Sequence, residues 1–205
     1  ASATPVSSMA AVTASASSLS AGSRSSDGSM LPGIAPYPVL GEEMTELEQQ
    51  ALWAASPDGL WVVDPVDGTT NFAHGMPYFA VAAALMRDGR PVLGAIYAPV
   101  FDECFAAAAG GGAWLNGERM MLEKTLSLAE AVAVVEPKRL PKTLAASIAT
   151  KQPVHAVRNF GASTIDWCSM AAGRADVMLH GAQKLWDYAA GVLILQEAGG
   201  RIAAI

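Results

Sequence analysis

The sequence predicts a mixed α/β fold, with helices layered on sheets, and three observations carry that prediction. Its 205 residues are 52% hydrophobic and only 16% charged, enough to bury a substantial core in one large domain or two small ones. Short apolar runs separated by Asp-Gly and Asn-Gly dipeptides crowd the first part of the patterned region, which is how hairpins read. Strand-like and helix-like runs then alternate toward the C-terminus, which is how stacked layers read.

Residues 1–35 differ from the rest. "ASATPVSSMAAVTASASSLSAGSRSSDGSM" is rich in Ala and Ser and has no apolar period, so it reads as a helical or flexible arm. Patterning begins at "YPVLGEE", and residues 36–205 form the functional domain. Leu60–Asp64 is a short buried strand. "YFAVAAALM" and "PVLGAIYA" flank Arg87-Asp88-Gly89-Arg90 and form a hairpin. "CFAAAAGGGAWLNGERM" is a second hairpin region, turning at Asn116-Gly117. "AVAVVE" is a further strand and Pro141–Thr150 a helix. "VHAVRNF" is a strand leading to Gly161-Ala162-Ser163, where a helix capped by Ser163 runs to Ala172 and closes at Gly173. "ADVMLHG" is a strand, and "LWDYAAGVLILQEAGG" is an apolar helix closed by Gly199-Gly200. No internal repeat is visible.

The formal net charge of −6 argues against a nucleic-acid polymer held by phosphate neutralisation. Lys138, Arg139 and Lys142 form the densest basic group and read as a solvated face. Cys104 and Cys168 fit no disulfide framework or metal spacing and read as small buried hydrophobes in a reducing compartment. No apolar stretch approaches the ~20 residues a membrane span needs. The Ala/Ser-rich start lacks the basic opening of a secretion signal. The expectation is a cytoplasmic protein with no membrane partner.

The chemistry concentrates in "WVVDPVDGTTNF". An apolar strand ends in Asp64, and Asp67 follows three positions later. Neighbouring carboxylates repel, and partial burial raises the cost of ionising both. A divalent cation removes that cost, and Mg²⁺ prefers such hard oxygen donors. Pro65 stiffens the link between the acids, and the Val66 carbonyl between them is a further donor. Gly68 permits close approach of a phosphate, while Thr69 and Thr70 open a turn whose N–H groups suit an anion. Carboxylates for metal, amides for phosphate and a hydroxyl for water form a phosphoryl-transfer constellation. Glu42 and Glu43 end a second apolar segment. Asp187, in the first turn of an apolar helix, has helix-dipole complementarity as its plainer role.

Together "GEE", "WVVDPVDGTTNF", "GAWLNG", "RNFGAS" and "WDYAAGVLILQEAGG" resemble, in order, the inositol monophosphatase family within the Mg²⁺-dependent, lithium-sensitive phosphatases. The resemblance implies an α-β-α-β-α layered sandwich of the sugar phosphatase type, usually a homodimer. It implies metal ligands at Glu42, Asp64, Val66 (through its carbonyl), Asp67 and Asp187, holding two or three Mg²⁺ ions. Glu42, Asp64, Asp67 and Thr69 would be catalytic. Asp67, Gly68, Thr69, Gly161, Ala162, Ser163, His180 and Asp187 would face the phosphate and the alcohol of a small phosphorylated substrate. The implied reaction is in-line hydrolysis of a sugar or polyol phosphate by activated water, without a phosphoenzyme.

Two departures stand out. Inositol-hydrolysing relatives carry a glutamate seven positions before the last metal aspartate, where this chain has His180. His74 and His155 carry no such positional argument and read as structural. Relatives also carry a V-T-x-x-D segment before "GEE", whereas here "SSDGSM" runs almost directly into "LPGIAPYPVLGEE". The expectation is a join across an absent loop near residues 29–33, and a C-terminal end shorter than the family's. The alternatives are a nucleotide (phosphoadenosine phosphate) or sugar bisphosphate phosphatase, or a non-catalytic member that binds metal and phosphate.

Overall fold

The structure, a computed structural model, describes residues 37–123 and 126–203. The expectations for residues 1–35 and for a join near 29–33 lie outside the described residues. Among the described residues the chain forms two sheets. The larger follows the order β1 (Val39–Gly41), β2 (Leu60–Asp67), β3 (Ala80–Arg87), β4 (Arg90–Ala98), β5 (Glu103–Ala108), β6 (Gly112–Leu115) and β7 (Glu118–Met120). β1 lies parallel to β2, and the other neighbours are antiparallel. The hairpin turns fall where the sequence puts them. Asp88, Gly89, Asn116 and Gly117 all have positive φ, as primed two-residue turns require.

The smaller sheet is parallel, in the order β10 (Val177–Leu179), β8 (Val132–Val135), β9 (Ala156–Arg158). Its connections are helical, as parallel pairing demands. α3 (Lys142–Lys151) joins β8 to β9, and α4 (Ser163–Ala171) joins β9 to β10. α5 (Leu185–Glu197) follows β10, packs along α4 and crosses β2 to β6 of the large sheet. α1 (Glu46–Ala55) and the short α2 (Thr69–Ala73) flank β2 in the chain. This is the layered α/β architecture the sequence predicts.

Side-chain alternation explains the layering. Leu60 and Val62 of β2 face α4 and α5, together with Ala80, Ala82, Ala84, Ile96, Phe105 and Ala107. Trp61 and Val63 point to the other face with Ala83, Leu85 and Ala95. Ala133 and Val135 of β8 pack instead with Leu144 and Ile148 of α3. The alanine-rich inner face of the large sheet lets α5 come close. At Gly94 an added Cβ would lie 3.0 Å from the Ala190 carbonyl oxygen of α5. At Gly191 a Cβ would overlap the Trp167 side chain of α4, so this glycine sets the α4–α5 spacing. Gly191→Ala is therefore expected to cost about 1–3 kcal/mol, the usual penalty of overpacking, as a lowered denaturant midpoint at unchanged m-value.

Two local features differ from the sequence expectation. α1 is an addition to the expected elements: Thr45 and Glu48 form the reciprocal capping box that "TELE" spells out. Ser163 does not cap α4. Ala162 occupies that position, and no cap bond comes from its own side chain. Asp67 of β2 supplies the bond instead, its Oδ2 accepting the Thr164 N–H at 2.7 Å. The Ser163 hydroxyl turns toward the Asp187 carbonyl oxygen, 3.5 Å away. The helix ends at Gly173 and Gly199, both left-handed in φ, are as expected.

A candidate active site at the strand ends

In a regular strand, residues three apart face opposite ways. β2 escapes this by a register shift. Asp64 pairs with Ala82 and Asp67 with Ala80, three residues on β2 against two on β3. The extra residue is a bulge, and it returns Asp67 to the side on which Asp64 already sits. Parallel pairing then sets Gly41 of β1 beside Val63, so Glu42 leaves its strand level with Asp64. Asp187 arrives from the first turn of α5.

These elements border a cavity of about 820 Å³ lined by Glu42, Asp67, Asn71, Ser163, His180 and Asp187, with Gly161 and Ala162 also in its wall. Of the sequence-predicted residues, Asp64, Val66, Gly68 and Thr69 do not line it. Asp64 lies beneath, 2% exposed, with its Oδ1 accepting the Val66 N–H at 3.0 Å. The Thr69 hydroxyl donates to the Val66 carbonyl oxygen at 3.0 Å. Gly68 has φ +84, and a Cβ there would lie 3.0 Å from both Ala162 Cβ and the Tyr78 carbonyl oxygen. Its smallness therefore lets the 64–69 segment sit tightly against the 161–163 loop.

The acids share one electrostatic field. Burial, then Asp67, then Glu42 push the Asp64 carboxyl up to about 8. Burial also raises Asp67, offset by the N–H and hydroxyl of Thr164. Glu42 is raised by burial and then by Asp187. Asp187 is raised by burial, offset by the Lys184 N–H, which donates to its Oδ2 at 2.8 Å, and by His180, Arg139 and Lys184 nearby. The plainer role of Asp187 as a helix-terminus acid thus operates alongside its place in the cavity. Among the described residues, no three His, Cys, Asp or Glu side chains are drawn together closely enough to hold an ion as they stand.

Three contributors lie outside the sequence-predicted set. Thr164, 1% exposed, grips Asp67 Oδ2 through its hydroxyl at 2.6 Å as well as through its amide. Asn71 donates to the carbonyl oxygens of Tyr78 and Phe160 at 2.8 and 2.7 Å, tying α2 to the 160–162 loop. Asp166 accepts from the Tyr78 hydroxyl at 3.1 Å and is pushed up to about 7, mainly by burial. The only signal for Thr164 and Asp166 was a pair of polar residues inside an apolar helix. Lys138 and Arg139, read as a solvated face, are exposed but form part of the cavity's wall.

Fold and site together define a mixed α/β protein with an acid-lined cavity at the strand ends. The family model described as the inositol monophosphatase family matches residues 35–205, so the chain belongs to that family. It is 38% identical over 148 residues to the inositol-1-monophosphatase of Mesorhizobium japonicum, covering 70% of this chain and 56% of that protein. It is 35% identical over 169 residues to the fructose-1,6-bisphosphatase/inositol-1-monophosphatase of Aquifex aeolicus, covering 80% of this chain and 62% of that protein. The crystal structure of extragenic suppressor protein suhB from Bartonella henselae matches with a TM-score of 0.68 at 36% identity, over 80% of this chain and 62% of the other. The chain thus spans less than two thirds of the length of these relatives. Membership makes it a phosphatase-family chain. Among the described residues no helix is long and apolar enough to cross a membrane.

Proposed function

We propose that the protein hydrolyses the phosphomonoester of a small sugar or polyol phosphate, of the inositol-1-phosphate kind, with Mg²⁺. The observation that carries this is the convergence of Glu42, Asp67 and Asp187, from the ends of β1 and β2 and the start of α5, on one cavity, with Asp64 buried next to them and raised by Asp67 and Glu42. Their donor chemistry fits the ion. They are hard carboxylate oxygens, all pushed up in pKa by burial and, at Glu42, Asp64 and Asp67, by neighbouring acids as well, and a divalent cation would relieve that cost. Those four, with the Val66 carbonyl, would hold two or three ions. The chemistry Mg²⁺ supplies in such a site is acidification of water and neutralisation of charge on the departing oxygen.

The chain's own residues would do the rest. The amides of Gly68 and Thr69 would hold the phosphate, and the Thr69 hydroxyl would orient the attacking water. Gly161, Ala162, Ser163 and His180 would meet the alcohol side. Asn71 and Thr164 would fix these parts relative to one another. Displacement would be in line, with the alcohol leaving on the side opposite the water and no phosphoenzyme formed. The proposal includes a homodimer acting in the cytoplasm.

The test is release of inorganic phosphate from a panel of phosphomonoesters by the full-length protein, with Mg²⁺ or with chelator. Polyol and sugar monophosphates should turn over only with the metal. Lithium in the millimolar range should inhibit. Metal binding without hydrolysis of any member of the panel would make the non-catalytic alternative the better account.

A further inference from the structure

We propose that Glu136 and Asn159 read neighbouring hydroxyls on the leaving alcohol, and so decide which phosphomonoesters the cavity accepts. This rests on the phosphatase reading of the same cavity. It deepens that reading by giving the alcohol's recognition to two residues so far without a role.

The smaller sheet puts them in place. Its three described strands are parallel, so their C-terminal ends share one edge. In open parallel sheets that edge is where ligands are received. The residue following each strand lines the cavity: Glu136 after β8, Asn159 after β9 and His180 after β10. Because β8 is the central strand, the edge reads His180, Glu136, Asn159 across the sheet. Backbone contacts hold the edge together. The Glu136 N–H donates to the Leu179 carbonyl oxygen at 3.1 Å. At Gly181 a Cβ would overlap the Arg139 carbonyl oxygen, so this glycine lets the stretch after β10 close against the turn after β8.

Glu136 is half-buried, and both oxygens of its carboxylate are fixed. Oε1 accepts the Lys138 N–H at 3.1 Å, and Oε2 accepts from Asn159 Nδ2 at 3.3 Å. No basic side chain forms an ion pair with it among the described residues. Arg139, Lys184 and His180 bear instead on Asp187. An ionised carboxylate has about four lone-pair sites, so about two remain for a ligand. Asn159 has a second N–H and a carbonyl oxygen to offer.

The pair therefore sets fixed acceptors beside a fixed donor. A hydroxyl donates and accepts at once, and two hydroxyls on adjacent carbons can engage both members of the pair. Bonds to an ionised carboxylate are roughly twice as strong as neutral ones, so Glu136 is the dominant partner. An alcohol without hydroxyls leaves both side chains to water and gains nothing from them.

The experiment measures kcat/KM for inositol 1-phosphate and for phenyl phosphate on full-length protein in Mg²⁺. Phenyl phosphate presents a phosphomonoester with no hydroxyl on its alcohol side. In Glu136→Gln the ratio of the two, inositol 1-phosphate over phenyl phosphate, should fall about tenfold from the wild-type ratio, the worth of one charge-assisted contact. Asn159→Ala should lower the same ratio by a smaller factor. A ratio that Glu136→Gln leaves intact would overturn the inference, and that includes both rates falling together, as a purely structural role would make them. If Glu136→Gln does not fold, Asn159→Ala, a change at an exposed side chain, decides by the same ratio. If the wild type hydrolyses neither compound, the phosphatase reading fails. Wherever a ratio cannot be formed, calorimetric binding of inositol 1-phosphate and of inorganic phosphate in Mg²⁺ decides the pair by itself. It upholds the pair if Glu136→Gln weakens only the inositol 1-phosphate, and overturns it otherwise.

Discussion

Asp64→Asn should reduce turnover by more than about a hundredfold, because substituting groups that merely support a metal ligand already costs 10–100-fold. The same variant should not unfold the chain. Asp64 is nearly sealed from solvent and its ionisation is opposed by burial, by Asp67 and by Glu42, so a neutral amide of the same shape relieves repulsion. Its Oδ1 accepts the Val66 N–H, a role the amide oxygen can retain. In chelator near pH 8 the variant should therefore melt at or above the wild-type temperature, while its Mg²⁺ affinity falls in a calorimetric titration. Asp187→Asn should show the same split, with a smaller gain, because that carboxylate also accepts the Lys184 N–H at the start of α5. Full turnover in either variant would remove the metal assignment. A large loss of stability in chelator would instead make these acids structural.

Much of this site was legible because its motif carries its own geometry. An apolar run ending in Asp64, a stiff Pro65 and a second acid before Gly68 specify a strand that ends in a crowded turn. The bulge that brings Asp64 and Asp67 to one side was not legible, since spacing alone places residues three apart on opposite faces. Hairpins at Asp88-Gly89 and Asn116-Gly117 could be read because few residues other than Gly, Asn and Asp tolerate positive φ. The cap of α4 was misread for the opposite reason. A serine beside a helix start is a local signal, whereas the bond comes from Asp67, 97 residues away in the chain. Thr164 escaped notice because its value depends wholly on that long-range partner. Lys138 and Arg139 are as exposed as a solvated face should be, and only the approach of Gly181 to the Arg139 backbone reveals that they also border a cavity.

The stability of the metal-free protein should fall as pH rises. The Asp64 carboxyl is pushed up to about 8 and that of Asp166 to about 7, in each case chiefly by burial. In an unfolded chain both would titrate near 3.9. Across the interval between those values the folded state binds more protons than the unfolded one, so unfolding releases protons and is favoured by alkali. The contribution is fully present below about pH 4 and is lost as pH climbs through about 7 for Asp166 and about 8 for Asp64. Each unit of such a difference is worth about 1.4 kcal/mol, so two groups together can remove several kcal/mol, a large part of a typical domain's stability. Thermal melts in chelator should therefore give a transition temperature that drops between pH 5 and about pH 8.5, with Asp64→Asn and Asp166→Asn each flattening the curve. Mg²⁺ should oppose the drop, because an ion bound to the ionised carboxylates stabilises the form that alkali favours. The rise in melting temperature on adding Mg²⁺ should accordingly grow with pH in the wild type and shrink in Asp64→Asn. Asp166 separates the two effects. It is held by the Tyr78 hydroxyl and is not among the proposed ligands, so Asp166→Asn should flatten the chelator curve yet keep the response to Mg²⁺. A metal-free transition temperature that rises with pH would show that these carboxylates ionise freely in the folded chain, and the electrostatic case for a cation among them would fall with it.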